Sequence, residues 1–461
     1  MINKMITGNK LIQLGYKPGK WFRDALVYVN NNDLNKEELV SYLESVKPRY
    51  IEPFKQAISF IENIEAESSE EFENLVSVRR DMKSVMITPT VVTGAVMPDA
   101  CPVSKGHIPV GGIVVTKNAI HPAMHSADIC CSVMMSNLGS IKPQKVLNMA
   151  LWTTHFGGGG RDDFSNLPKD LEEKLYENSF LNSDYSIRTA KSHLGTQGDG
   201  NHFLFVGKSK LSGDTIIVTH HGSRGLGANL YKSGMKMAYY FRNELSPETK
   251  EVNSWIPFDT DDGKSYWEAL QLIRVWTKLN HTIIHDAIIH KLKGDLKDRF
   301  WNEHNFVFKK DDLFYHAKGA TPLSNDFVPD SENGLRLIPL NMSQPVLIVK
   351  GETTERNLGF APHGAGRNVS RGQHKRSFGD KPIHEIFAEE TKGLDVRFFS
   401  GNIDVSELPS AYKSANQVRA QMEKFGLGQV VDEIEPYGCI MAGDWMQDAP
   451  WMKKKINKNT L

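Results

Sequence analysis

The feature that constrains this chain most is a set of short apolar runs that break off into glycine, proline or histidine. MITPTVVTGAVMPDA (86–100) and HIPVGGIVVTKNAIHPAMH (107–125) are β-rich, and FLFVG (203–207), DTIIVTHHG (214–222) and QPVLIVKG (344–351) share their texture. Runs of this length, rich in β-branched residues and bounded by turn formers, read as strands. Between them lie helical stretches, ANLYKSGMKMAYYFRNEL (228–245) and YWEALQLIRVWTKLNHTIIHDAIIHKL (266–292), with a late helical region over 404–426. This mixture predicts an α+β fold of packed sheets surrounded by helices, spanning residues 86–461.

Residues 1–85 have a different texture and predict a helical N-terminal extension. TGNKLIQLGYKPGKWFRDALVYVNN (7–31) and LNKEELVSYLESVKPRY (34–50) carry apolar residues at helical spacing. EAESSEEFENLVSVRRDM (65–82), acidic and then basic, reads as a solvated connecting helix. The lysine-rich end, WMKKKINKNTL (451–461), reads as a frayed terminus. No fixed-period repeat or low-complexity block interrupts the chain.

Lys+Arg and Asp+Glu both total 55 in the 461 residues, so a polyanion would have to meet a local patch rather than a broad basic field. No apolar run approaches the ~18–20 residues of a membrane span. The first residues lack a signal pattern, so a cytoplasmic, soluble protein with no membrane partner is expected. Four cysteines, at 101, 130, 131 and 439, are too few for a disulfide framework and raise the possibility of a thiolate metal ligand.

Several constellations carry chemistry. In HSADICCSV (125–133), Asp128 and Cys131 could reach one metal or two adjacent ones, although a turn aspartate and a buried cysteine share that spacing. In HLGTQGDGNHFLFVG (193–207), three glycines lead Asn201 and His202 to the mouth of a strand. TIIVTHHGSRGLG (215–227) delivers His220 and His221 in succession, and only one of two adjacent strand residues can face a given side. FWNEHNFVF (300–308) sets His304 among aromatics, and HAKGATP (316–322) adds Lys318 on what reads as a flexible turn. FAPHGAGRNVSR (360–371) places His363 in a glycine-rich stretch beside Arg367, whose planar fork suits phosphate oxygens. No GxxxxGK[ST] phosphate loop or dinucleotide fingerprint is present. Oxygen, nitrogen and sulfur donors together suit borderline divalent ions such as Mn, Zn or Co.

These motifs also resemble a known family. MPDA (97–100), TKNAIHPAMHSADICC (116–131), GTQGDGNHF (195–203), HHGSRGLG (220–227), HNF (304–306), HAKGATP, IPLNMS (338–343), HGAGRNVSR (363–371) and ELPSAYK (407–413) follow the order seen in RtcB RNA ligases. The resemblance covers residues 86–445 and looks like that of a divergent bacterial paralogue. It implies an RtcB-like catalytic domain that joins RNA 2',3'-cyclic phosphate or 3'-phosphate ends to 5'-hydroxyl ends, using GTP and two Mn(II) ions. It implies His363 as the nucleophile that carries GMP. Asp128, Cys131, His202, His220 and His304 would be the metal ligands, with Cys131 shared and His220 rather than His221 in the ligand position. Asn201, Arg367 and Asn341 would contact the nucleotide, and Asp99 would lie near both metal and nucleotide. The implied partners are a nucleoside triphosphate, RNA (tRNA or damaged ends, hence a repair role) and, by analogy only, a release-factor-like protein.

Departures from the family pattern fall at the base-reading positions. Phe205 stands where the family has a glutamate, Ala442 where it has a lysine, and Leu340 and Asn341 in a nucleotide-contacting turn; Cys101 replaces a histidine. The altered shell leaves the identity of the nucleotide open. Two other readings remain: a metal-dependent phosphodiesterase on cyclic-phosphate ends, and a non-catalytic RNA-end-binding protein. For RNA contact the sequence offers RGQHKR (371–376), Lys191, Lys318 and the lysine tail.

Overall fold

The computed structural model describes residues 5–444 except 20, 104–105, 163–164, 330 and 332. The lysine-rich stretch 451–461 lies outside the described residues. The architecture is α+β, as the alternating texture predicts. One sheet has the order Ile61–Glu62, Val91–Cys101, Val110–Lys117, Leu313–Lys318, Asn305–Lys310. A larger eight-stranded sheet runs Asp298–Glu303, Ser132–Asn137, Thr215–His221, Phe203–Ser209, Gln429–Met441, Val346–Lys350, Arg336–Pro339, with Asp395–Phe398 parallel to the end of Gln429–Met441.

The two sheets are joined at His304. Asp298–Glu303 pairs in the larger sheet and Asn305–Lys310 in the smaller, so the single residue between them marks the passage from one to the other. The helix Asp261–Leu292 buries Tyr266, Leu270, Ile273, Trp276, Asn280, Ile284 and Ile288, a three-to-four residue repeat that gives it one long apolar face. The Thr260 side chain caps its start by accepting from Gly263 N. Trp276 is fully buried, and truncation to alanine there should cost roughly 3–5 kcal/mol.

Three sequence expectations change. The helix Ser69–Val85 is not a solvated connector. It buries Leu75, Val78, Met82 and Val85 in one cluster with Val91, Val96 and Val114, because the apolar side of an amphipathic helix finds a sheet to cover. Lys318 is not on a flexible turn but ends the strand Leu313–Lys318, and is buried. The late helical region is α-helical only over Ala415–Lys424; before it, Pro409 opens one of two 3-10 turns, since proline suits a helix start but not an interior.

The helices Gly8–Gln13, Trp21–Asn31 and Lys36–Val46 have a small core of their own, built on Leu11, Phe22, Ala25, Val29 and Leu43. Residue 51 ties this region to the rest through Ile51 N donating to Leu245 O and Ser246 Oγ donating to Ile51 O.

Candidate metal centre and its pocket

Cys131, His202 and His220 reach the site from strand ends in the larger sheet. Cys131 immediately precedes Ser132–Asn137, His202 precedes Phe203–Ser209, and His220 lies at the end of Thr215–His221. In-register pairing of Val133 with His220 and of His220 with Phe203 holds these ends side by side. The turn before Cys131 carries positive φ at Ser126 (76°) and Cys130 (58°), conformations that cost energy for residues with side chains. Cys130 N donates to Asn305 O, His304 N to Cys131 O, and Asn305 Nδ2 to Asp128 O. The strained turn is thereby stitched to the point where the sheets meet.

The donors converge closely. Cys131 Sγ is 3.2 Å from His220 Nε2 and 3.7 Å from His202 Nε2; His220 Nε2 is 3.2 Å from His304 Nε2; His202 Nε2 is 3.1 Å from Asp128 Oδ2. Donors bound at 2.0–2.3 Å to one tetrahedral ion stand about 3.3–3.8 Å apart, close to this spacing. They form two triads, Cys131–His220–His304 and Asp128–Cys131–His202, with Cys131 common to both. His220 Nδ1 is 3.1 Å from the Asn201 carbonyl, the outer-shell hydrogen bond that leaves Nε2 available as a ligand. The donor set fits borderline divalent ions and is a poor match to the all-oxygen preference of Mg or Ca.

Electrostatics favour neutral His220, His304 and Cys131 beside an ionised Asp128. Burial holds His220 down at about 3 and pushes His304 far below the usual imidazole range, where the neighbouring His363 adds to the effect. Burial and then Asp128 push the Cys131 thiol well up. Burial opposes ionisation of Asp128, but His202, Cys131 and His220 outweigh it and hold the carboxyl down at about 2. Adjacent His221 faces the other way, as strand alternation requires, and stacks on His281 of the long helix at 3.5 Å.

His363 follows the short strand Phe360–Pro362, and its ring centroid is 4.8 Å from that of His304. Asp99, fully buried in Val91–Cys101, receives its Nδ1 at 2.6 Å and the backbone N–H groups of His363 and Gly364 at 3.0 and 3.3 Å. Glycine is required nearby at two points. A Cβ on Gly366 (φ 71°) would collide with Asp99 O, and one on Gly319 (φ 65°) would stand 2.9 Å from His363 Cε1.

One cavity of roughly 300 Å³ is bordered by Asp128, Cys131, His220, His304 and His363, and also by Asn201, Asn341 and Arg367. Arg367 does not simply point at a ligand: Nη1 donates to Ser406 O, Nη2 to Glu407 Oε2 (2.8 Å) and to Tyr412 OH (3.1 Å), and the guanidinium lies 4.5 Å from the Tyr412 ring. Glu407 and Tyr412 had no assigned role in the sequence, although both lie in the ELPSAYK motif. Their place in that motif was the available signal. Phe203, Phe205, Met342, Val346, Cys439 and Met441 give the cavity an apolar wall. Cross-strand pairs Phe203–Met441 and Phe205–Cys439 build it from one face of the larger sheet. Ala442 is buried in a different apolar cluster, with Leu204 and Ile440.

The basic groups read as RNA contacts are mostly engaged. Arg371 pairs with Glu407 at 2.7 Å, Lys375 with Asp404 and Asp444 at 3.0 and 3.1 Å, and Lys191 with Glu172 at 2.5 Å. Among the described residues no helix is long and apolar enough to cross a membrane.

The family described as tRNA-splicing ligase RtcB matches residues 148–442. The tRNA-splicing ligase RtcB of Aeropyrum pernix is 27% identical over 343 residues, covering 64% of this chain and 69% of that protein. The RNA-splicing ligase RtcB1 of Escherichia coli is 25% identical over 394 residues, covering 75% of this chain and 89% of its own length. For the Pyrococcus abyssi tRNA-splicing ligase RtcB, 25% identical over 338 residues, the match spans 63% of this chain and 36% of that relative. With the matched region covering well over half of its length, this chain belongs to the RtcB family.

Proposed function

We propose that this protein is an RNA ligase that joins 2',3'-cyclic phosphate or 3'-phosphate ends to 5'-hydroxyl ends through a nucleotide carried on His363. The observation that carries the reading is one pocket lined by His363, its imidazole fixed by Asp99, and by the converging donors Asp128, Cys131, His220 and His304, with His202 completing the set through its contacts with Asp128 and Cys131. Asp99 holds the proton on Nδ1, which leaves Nε2 with its lone pair for attack on an α-phosphorus. The N–P bond forms as the bond to pyrophosphate breaks. Where the end is a 2',3'-cyclic phosphate, water first adds to the phosphorus and the 2'-oxygen leaves as a hydroxyl; an oxygen of the resulting 3'-phosphate then takes the nucleotide from His363. Finally the 5'-hydroxyl attacks the activated phosphorus, loses its proton, and expels the nucleoside monophosphate.

The five donors would hold two divalent ions, read from the resemblance as Mn(II). Such ions supply charge stabilisation for phosphoryl oxygens. Arg367 is oriented by Glu407 and Tyr412 toward the same cavity, and Asn201 braces His220. The wall formed by Phe203, Phe205, Met342, Val346, Cys439 and Met441 offers a base a surface to pack on rather than partners for its polar edge. GTP is the nucleotide the resemblance implies, with weaker discrimination than an edge-reading pocket gives.

The test is incubation with Mn(II) and each α-labelled nucleoside triphosphate. Acid-labile label on the wild type and none on His363→Ala supports the ligase. Absence of label from every nucleotide, with cyclic phosphate still opened, assigns a phosphodiesterase instead. Neither label nor opening, with RNA ends still bound, assigns a binding protein.

A further inference from the structure

The helix Pro143–Thr153 buries Val146, Leu147 and Ala150, packs Met149 and Leu151 half-buried against the same cluster, and leaves its outer side to solvent. On that outer side Trp152 is 87% exposed, an unusual state for the side chain with the largest apolar surface. Lys145, Met149 and Trp152 are spaced four and three residues apart and share a helix face. They line a shallow groove with Lys291 and Leu292, from the last turn of the helix Asp261–Leu292. No carboxylate lines this groove, and neither lysine has an ion-pair partner among the described residues. A flat aromatic face sharing a groove with two uncompensated cations is complementary to a base flanked by phosphates. It is poorly suited to an apolar peptide, which would have to desolvate both lysines.

The chain connects this groove to the metal centre. Four residues after Trp152, Phe156 pairs with Gly198, at the end of the strand Thr196–Gly198 that leads into Asn201 and His202. At 3.3–3.6 Å per residue the path is at most about 35 Å, within reach of a single strand several nucleotides long. The cations of RGQHKR and Lys191, by contrast, already have carboxylate partners at Arg371, Lys375 and Lys191.

We propose that Trp152, with Lys145 and Lys291, is a stacking platform for a single-stranded segment of RNA lying away from the reacting end. This rests on the reading that RNA is the substrate. The test uses the full chain and two 3'-phosphate oligoribonucleotides, one long and one only long enough to fill the pocket, followed by fluorescence anisotropy. Trp152→Ala should weaken binding of the long oligonucleotide by about tenfold, as loss of one stacked base does. It should leave short-oligonucleotide binding and labelling of His363 unchanged. Lys145→Gln with Lys291→Gln should reduce the slope of log affinity against log salt by about 1.4. Equal binding of both oligonucleotides by Trp152→Ala and wild type would overturn the platform. So would an effect confined to self-association measured by sedimentation. If the wild type binds neither oligonucleotide, the RNA-ligase reading falls together with the platform, whereas loss confined to the variant isolates Trp152.

Discussion

Asp99 Oδ2 is 2.6 Å from Nδ1 of His363 and also accepts from the backbone N–H groups of His363 and Gly364. One carboxylate oxygen therefore sets both the ring orientation and the path of the glycine-rich turn. The two residues are 264 positions apart in the chain.

Asp99→Asn should keep the turn nearly isosteric but present the wrong hydrogen-bonding character to Nδ1. Protein labelling by an α-labelled nucleoside triphosphate should slow by at least roughly 100-fold, as other His-orienting carboxylates do when amidated. Thermal unfolding should change little. An unchanged labelling rate would show that Asp99 has no positioning role.

Cys131 should be protonated before a divalent ion arrives, because burial and Asp128 both push its thiol up. Ion binding should then release a proton, so affinity should rise as pH rises below the thiol's range. Calorimetric titration with Mn(II) in buffers of different ionisation enthalpy measures that proton. Cys131→Ser should lose more than the ~10–100-fold that removal of an outer-shell partner typically costs, because both triads share this atom.

Lys318 lines the pocket, and burial lowers its pKa to about 8, with Cys101 and Asp81 opposing the shift. Below that pH it places a positive charge in the cavity; above it the charge is lost. Nucleotide affinity should therefore fall as pH rises through 8, and Lys318→Arg should flatten this limb. The stability sign runs the other way. The cost of burying the charge is fully present below pH 8 and disappears as pH rises toward the ordinary lysine value near 10.5.

Base discrimination should be weak if the wall built by Phe205 and Cys439 receives the base. Labelling rates with GTP and ATP should agree within roughly tenfold, against the ~10⁴–10⁵-fold rejection that a hydrogen-bonding pocket produces. A larger preference, measured at subsaturating nucleotide, would mean that a polar group reads the base edge.

Much of the site was legible in the sequence because its residues sit at strand ends marked by glycine. GDGNH, THHG and PHGAG each deliver a histidine where a short apolar strand stops or starts, and alternation along Thr215–His221 separates His220 from His221. Distances were not legible. The strand Asp298–Glu303 and its successor Asn305–Lys310 look continuous in sequence, yet they belong to different sheets, and only that change of sheet puts His304 opposite His220.

Local pattern thus determined the residue types, the strand and helix character, and the set of candidate donors, since these depend on periodicity and turn chemistry within a few residues. Tertiary structure decided which charges are spent internally, as when Glu407 takes up Arg367 and Arg371, and which remain outside, as at Lys145 and Lys291. It also decided that Lys318 is buried and that Asp99 meets His363. Charge pairing and desolvation depend on neighbours brought together across hundreds of residues, and no local window contains them.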